Sequence, residues 1–450
     1  MGKMFWGVVL LFACQARVAV AQQPFMLERF EEDHSRTSPE PGETGLSGRL
    51  KHVQVGDGYV SFGGEIRERL DAYDAPGFGL GSAKDSYGLH RILLHADLHA
   101  GERVRVFLQL GMHSSSGKAK IGPSDKGGTD LQNAFVDLVA DAQKRFQIRV
   151  GRQDLILNSA QRFVSVREGP NMRQSFDGAS LRWSGSNLRI RGFVTKPVKY
   201  KTGRFDDSAD DTQRFFGADA TYSIDEANTI QVYALELDRD QVTFGGTMAN
   251  ERRRSLGGRW AGKHGQFDHD VEALHQGGTF GDRAIRAWAL AASAGYTLRQ
   301  AWSPRLGLEY DAGSGDGDPN DGRLGTFNPM FPKGPFFDPS SLNSWANLRL
   351  ARASFSVAPS KALSLSFSVS QRWRQSTSDA VYIQPYVPLA ATLGNPARRV
   401  GEEYEFNLSW QTNRHLVVLF QALHASAGPA IRLAGGRPVN FAMVTTQLRF

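Results

Sequence analysis

The chain ends in the stretch NFAMVTTQLRF, residues 440–450, and this stretch indicates what kind of fold the chain has. From Ala442 onward every second residue is apolar or nearly so, and the residues between them are mostly polar, among them Gln447 and Arg449. A period of two places alternate side chains on opposite faces of a β-strand. The chain therefore finishes on a strand with one apolar face and one wet face, and its last residue, Phe450, shares the apolar face.

The same alternation recurs along the chain in segments of about ten residues, the length that crosses a membrane as a tilted strand. Examples are RILLHADLHA (91–100), ALSLSFSVSQRWR (362–374) and EEYEFNLSWQ (402–411). Alternation by itself does not distinguish a membrane barrel from a soluble sandwich, because the strands of a sandwich also have a dry face and a wet face.

The connections between the segments discriminate between these two folds. Short and longer connections alternate along the chain, eight of one kind and nine of the other. The longer ones are predicted near 74–86, 113–130, 154–176, 197–213, 240–251, 278–283, 313–344, 375–401 and 425–439. We therefore predict an all-β fold, a transmembrane antiparallel up-and-down β-barrel of about 18 strands with short periplasmic turns and long extracellular loops.

The N-terminus has the features of a secretory signal peptide. Lys3 precedes the apolar run at 4–13, and Ala19-Val20-Ala21 forms an A-x-A cleavage site. An alternative is a lipoprotein signal, in which Cys14, the only cysteine, carries the lipid. We predict a signal peptide at 1–21, a flexible periplasmic leader at 22–56 and a barrel at 57–450, in a protein exported to the outer membrane.

Composition excludes several other classes of protein. The formal charge of +7 is spread along the chain without a local basic block, which argues against a nucleic-acid partner. No later segment has a continuous apolar run that could span a membrane as a helix. Cleavage after Ala21 would leave no cysteine, so we expect neither disulfides nor thiol chemistry.

Two longer stretches resemble one protein family. The first, GRQDLILNSAQRFVSVREGPNMRQSFDGASLRW (151–183), contains GRQ, REGPN-x-R and SFDG, and the second is GSGDGDPNDGRLGTFNPMFPKGPFF (313–337). Both resemble the alginate-export family of outer-membrane barrels, and the likeness extends from about Tyr59 to Phe450. The resemblance implies a porin-like channel. A final strand ending in an aromatic residue also resembles the signal for the bacterial barrel-assembly machinery, so we expect that machinery and outer-membrane lipid as partners.

Arginines are the candidate solute-binding residues. We predict that the loop at 152–176 folds inward, and that Arg152 and Arg173 from this loop form the narrowest ring with Arg149 and Arg191 from the walls. The other arginines predicted to line the pore are Arg67, Arg69, Arg91, Arg105, Arg305 and Arg372. Guanidinium groups stay charged and bind carboxylates bidentately. The surplus favours diffusion of anionic, uronate-type sugar-derived solutes, although the same arginines would also serve as ion pairs that hold the loop and solvate the wall.

No cofactor, metal or enzymatic activity is expected. His95 and His99 share one strand face, but residues i and i+4 of a strand lie about 13 Å apart and cannot share an ion. The stretch DGDPND at 316–321 lacks the Gly and Glu of an EF-hand, which leaves a looser calcium cage or plain loop structure. The alternative function is an outer-membrane barrel enzyme of the protease or lipase type, although the sequence contains no G-x-S-x-G motif.

Overall fold

Eighteen strands form a closed antiparallel barrel in the computed structural model, which describes residues 25–35, 45–80, 84–141, 143–334 and 336–450. The strands are β1 (Gly58–Tyr73), β2 (Asp85–Ala100), β3 (Val104–Ser116), β4 (Gly127–Val139), β5 (Phe146–Gln153), β6 (Phe176–Ser184), β7 (Leu188–Lys199), β8 (Gln213–Ser223), β9 (Thr229–Phe244), β10 (Thr247–His264), β11 (Phe267–Phe280), β12 (Arg283–Thr297), β13 (Arg305–Gly313), β14 (Leu348–Val357), β15 (Leu363–Arg374), β16 (Arg399–Gln411), β17 (Leu416–Ala425) and β18 (Val439–Arg449). The predicted fold class and strand number are confirmed. The predicted signal peptide lies outside the described residues.

The barrel closes where β18 pairs with β1, from Tyr73 opposite Phe441 to Glu65 opposite Arg449. Every other strand pairs with its neighbours in the chain, so the barrel has no free edge at which another strand could add. Short helices lie at Gly45–Leu50 and Pro429–Arg432. None of the helices among the described residues is long and apolar enough to cross a membrane.

The two faces of the closing strand lie as its alternation predicts. Val444 and Leu448 are 39% and 38% exposed on the outer surface, whereas Gln447 and Arg449 are buried on the inner side. Apolar side chains on the outside of a closed membrane barrel are solvated by lipid hydrocarbon. The outer face is therefore the lipid face, and the polar face encloses the lumen.

Two of the nine predicted long loops, 240–251 and 278–283, are wrong. The strands continue through both regions and turn only at Gly245-Gly246 and at Gly281-Asp282. These glycines have φ values of 57°, 80° and 55°, the left-handed backbone that a tight hairpin requires. The ladder hydrogen bonds of β9–β12 thus extend beyond the roughly ten residues that cross the membrane. The sidedness of the turns is unaffected.

Part of the predicted flexible leader is ordered inside the barrel, which corrects that prediction for residues 25–35. We call these residues the N-terminal segment. Its Phe30 ring packs against the lumen-facing rings of Phe107 and Phe135, with centroids 5.5 and 5.1 Å away. Its buried Arg29 donates hydrogen bonds to the carbonyl oxygens of Gly64 and Phe450 at the closing seam. Burial of these aromatic rings provides the reason that the segment enters the lumen.

Candidate functional site

The connection between β5 and β6, residues 154–175, folds into the lumen as predicted, and we call it the constriction loop. Its first half is tied to the wall formed by β9 and β11. Asn158 donates hydrogen bonds to the side chains of Gln231 and Glu272, at 3.0 and 3.1 Å. Arg162 forms ion pairs with Asp270 and Glu272, at 3.0 and 2.9 Å. These charge-assisted bonds hold the first half of the constriction loop against the wall.

The second half of the constriction loop reaches β1 and β2. Glu168 forms an ion pair with Arg91 of β2. Arg67 of β1 donates to the carbonyl oxygens of Glu168 and Pro170, at 2.7 and 2.9 Å, and Arg69 donates to that of Gly169 at 2.8 Å. Because its two halves are bonded to different walls, the loop crosses the lumen and narrows it.

A second inward loop, residues 314–347, supports the constriction loop, and sequence reasoning missed its role. The two loops are joined by a backbone bridge between Val164 and Phe331, in which Ser165 donates to the Phe331 carbonyl at 2.8 Å. Phe331 also packs against Phe176, and Phe163 packs against the buried Trp345, with ring centroids 5.0 and 5.1 Å apart. The apolar composition of 324–337 was the available signal, since such side chains gain free energy by leaving water.

A cluster of charges lies where the constriction loop meets β1, β2 and β18. Two carboxylates, Glu65 and Glu168, stand at its centre. Four guanidinium groups surround them, those of Arg67, Arg91, Arg173 and Arg449, and the ion pairs to Glu65 measure 2.6 Å for Arg91, 3.5 Å for Arg173 and 3.1 Å for Arg449. Burial by itself would raise the pKa of Glu168, but Arg173 and Arg91 outweigh it and lower the pKa to about 2. The cluster thus holds more positive than negative charge.

The other predicted lumen arginines are brought to separate places, each with a carboxylate partner on the wall. The pairs are Arg69–Asp71 at 2.7 Å, Arg105–Asp97 at 2.6 Å, Arg149–Asp137 at 2.7 Å, Arg191–Asp219 at 2.8 Å, Arg305–Asp268 at 2.6 Å and Arg372–Glu403 at 3.3 Å. The predicted ring of Arg149, Arg152, Arg173 and Arg191 therefore does not form. Of these four, only Arg173 belongs to the central cluster.

Arg152 does not line the lumen, which corrects its assignment to the pore. It shares strand parity with Ile148 and Val150, which are 40% and 53% exposed on the lipid face. Its guanidinium group forms a bidentate ion pair with Asp177, at 2.8 and 2.9 Å, and donates to the Asp207 carbonyl at 3.1 Å. The cause is that β5 continues through Gln153, so Arg152 still belongs to the strand rather than to the inward loop.

Two groups of acidic residues, one around Asp130 and one at 316–321, accept backbone hydrogen bonds within the protein. Asp130, Asp206 and Asp207 approach one another closely enough to share an ion, but Asp130 already accepts the backbone N–H groups of the other two. In the stretch 316–321, the Asp318 and Asp321 carboxylates accept backbone N–H groups within their own turn. Such bonds are typical of plain loop structure.

Comparison with known proteins identifies the family. The sequence profile described as alginate export matches residues 58–445. This chain belongs to the alginate-export family. Family membership and the closed 18-strand barrel make it a porin-like channel of the outer membrane, as the sequence predicts.

Solved structures of similar fold include proteins of the Occ and Opd series. Pseudomonas aeruginosa OccK11 (OpdR) is 15% identical with a TM-score of 0.58, over 89% of this chain and 99% of its own. Pseudomonas aeruginosa OccD3 (OpdP) is 12% identical with a TM-score of 0.59, over 96% and 99%. Acinetobacter baumannii OccAB1 is 13% identical with a TM-score of 0.59, over 87% and 96%. At such identities the alginate-export protein shares their fold alone. No curated protein sequence matches this chain.

Proposed function

We propose that this alginate-export family channel lets anionic, uronate-type sugar-derived solutes diffuse across the outer membrane. The observation that supports the proposal is the central cluster, in which four guanidinium groups surround Glu65 and Glu168 at the point where the lumen is narrowed. A carboxylated solute that reaches this point exchanges water for fixed guanidinium partners in a region of lowered dielectric. Neutral solutes gain no such interaction, and cations are repelled.

The further pairs of Arg191 with Asp219 and of Arg105 with Asp97 provide weaker points of contact along the walls. A channel conducts when its ligands bind weakly at several sites, because the solute must leave as readily as it enters. Arginines already paired with wall carboxylates meet this requirement, since a solute carboxylate competes with an existing partner for each of them.

We expect the double variant Arg67→Gln/Arg191→Gln to lose much of its preference for anions. Reversal potentials across a salt gradient in planar bilayers should shift toward cation permeability, and block by uronate oligomers should weaken. The shift should shrink at high salt, where the screening length falls to about 3 Å at 1 M. Arg152→Gln is the matched control, because Arg152 faces outward. Identical reversal potentials for the double variant and the wild type at low salt would mean that these arginines only hold the structure together.

The alternative function, an outer-membrane barrel enzyme, makes a different prediction in the same bilayers. A channel produces steady ohmic current steps, whereas an enzyme hydrolyses substrate without conducting. Catalysis needs a nucleophile or base oriented by a neighbouring group. In the central cluster the neighbours of Glu65 and Glu168 are guanidinium groups, which bind anions and do not accept protons. Hydrolysis of an ester or peptide by purified protein that carries no current would favour the enzyme.

A further inference from the structure

The N-terminal segment, residues 25–35, lies inside the lumen at its periplasmic end. The Phe25 ring lies 5.6 Å from that of His415, in a turn on the periplasmic side, and Arg29 bonds to the carbonyl oxygen of Phe450. Arg173 of the constriction loop donates to the Leu27 carbonyl at 3.4 Å. The segment therefore extends from the closing seam to the underside of the constriction loop.

Side chains, rather than strand pairing, hold the segment in place. Within the described residues, 25–35 add no strand to the sheet. Phe30 packs edge-on against the stacked rings of Phe107 and Phe135, and the guanidinium group of Arg149 lies 4.3 Å above the centre of the Phe30 ring. Arg105 donates to the Phe30 carbonyl oxygen. An aromatic anchor with a few charged contacts can be withdrawn without unfolding the barrel, because the ladder bonds of the walls do not depend on it.

The segment also presents acidic side chains to arginines of the lumen wall. Glu31 forms an ion pair with Arg182 of β6 at 3.0 Å. Glu28 lies in the field of the same Arg182 and of Arg149. Arg105, Arg149 and Arg182 lie on β3, β5 and β6, and we call them the periplasmic subsite. Two acidic side chains one helical turn apart in sequence thus stand where the acidic groups of an entering solute would bind these arginines.

We propose that the N-terminal segment is a displaceable plug of the periplasmic mouth, and that its acidic side chains occupy a subsite that takes the acidic groups of a solute. The inference rests on the proposed function, since it takes the solute to be anionic. Solute and plug compete for the same arginines. An acidic solute that displaces the plug therefore opens the mouth and takes over the plug's contacts with these arginines.

The charges around Glu28 make plugging depend on pH. Glu28 faces Glu31 of its own segment, Asp154 of the constriction loop, and Arg149 and Arg182 of the wall. Burial, followed by repulsion from Glu31 and Asp154, raises the pKa of Glu28 from 4.5 to about 8. The Glu28 carboxyl group therefore binds its proton more tightly when the segment is docked than when it is withdrawn. Docking weakens as the pH rises from about 4.5 to about 8. We expect conductance to increase as the pH rises from about 4.5 to about 8, and Glu28→Gln to abolish that increase.

The first test locks the plug in place. A Phe30→Cys/Phe107→Cys variant carries two new thiols in a chain whose single native cysteine, Cys14, lies in the predicted signal peptide. Joining them with a short, reducible bifunctional thiol reagent should lower the unitary conductance, and a reductant should restore it. The Phe30→Cys variant treated with the same reagent is the control. Equal currents before and after reduction of the locked channel would overturn the proposal.

The second test asks whether the plug occupies the subsite. The Glu28→Gln/Glu31→Gln variant should bind trigalacturonate added from the periplasmic side about tenfold more tightly than the wild type, equivalent to roughly 1.4 kcal/mol. A further Arg182→Gln substitution should cancel that gain, and deletion of residues 25–35 should raise conductance. Unchanged block in the double variant would overturn the proposal. The proposed function fails separately, if the wild-type channel itself shows no preference for anions.

Discussion

Replacing Glu168 by glutamine is expected to widen the constriction and to strengthen its preference for anions. Glu168 is the only residue of the constriction loop that pairs with both a wall arginine, Arg91, and an arginine of the loop itself, Arg173, among the described ion pairs. Removing one partner from a buried ion pair costs about 3–5 kcal/mol, because the other charges are left uncompensated. Glu65 alone would then face the guanidinium groups of the central cluster.

The consequence is a loop that separates from β1 and β2. Unitary conductance should rise, current noise should increase, and reversal potentials should move toward pure anion permeability. Because the lowered pKa keeps Glu168 ionised until the pH falls toward about 2, the comparison at neutral pH is between a full charge and none. Glu226→Gln, in an exposed periplasmic turn, is the matched control. Equal conductance and selectivity in the two variants would show that Glu168 does not hold the loop.

Deleting Phe450 is expected to reduce the amount of barrel inserted in the outer membrane far more than its contacts account for. Phe450 exchanges two backbone hydrogen bonds with Gly64, at 2.8 and 3.1 Å, which is the last pairing of the seam. Two such bonds contribute about 2 kcal/mol to the folded barrel. We propose that the barrel-assembly machinery recognises the final strand through this aromatic residue before folding, so its loss would prevent insertion rather than only weaken the seam.

The measurement is the yield of folded protein in isolated outer membranes, compared with the yield after refolding of the same variant in detergent. Phe355→Ala is the control, because Phe355 is a ring on the lipid face of β14 that is 45% exposed and far from the seam. We expect the deletion to lower the membrane yield strongly and the detergent yield slightly. A normal outer-membrane yield would contradict a role for Phe450 in recognition.

Most of the barrel could be predicted because the pattern that specifies each strand lies within a few neighbouring residues of the sequence. Strand, lumen face and lipid face all follow from a period of two, which residues such as Val444 and Gln447 express within a few positions of one another. The predictions at 240–251 and 278–283 were wrong because the strands on either side are longer than a membrane crossing requires. Nothing in the polarity of those segments shows that pairing continues beyond the membrane, although Gly245-Gly246 is a hairpin signal.

The candidate site was predictable only in part. Inward folding of the constriction loop, and the presence of Arg67, Arg91 and Arg173 in the lumen, agree with the sequence analysis. The predicted ring was wrong because the wall arginines each form an ion pair with a different wall carboxylate. Which carboxylate lies opposite an arginine depends on the register between neighbouring strands. Arg152 was misplaced for a simpler reason, since the inward loop was predicted to begin at residue 152, whereas β5 continues through Gln153.

The amino-acid sequence by itself determined the membrane barrel, its number of strands, its sidedness and its family, because these depend on periodicity, turn spacing and characteristic residue stretches that are local along the chain. The tertiary structure decided what fills the lumen. The N-terminal segment lies at one end of the chain and the closing strand at the other, yet Arg29 bonds to both Gly64 and Phe450. Such contacts exist only after the barrel closes, because closure brings the two ends of the chain together. Closure also encloses the lumen, in which apolar and charged side chains from separate loops lose water and contact one another instead.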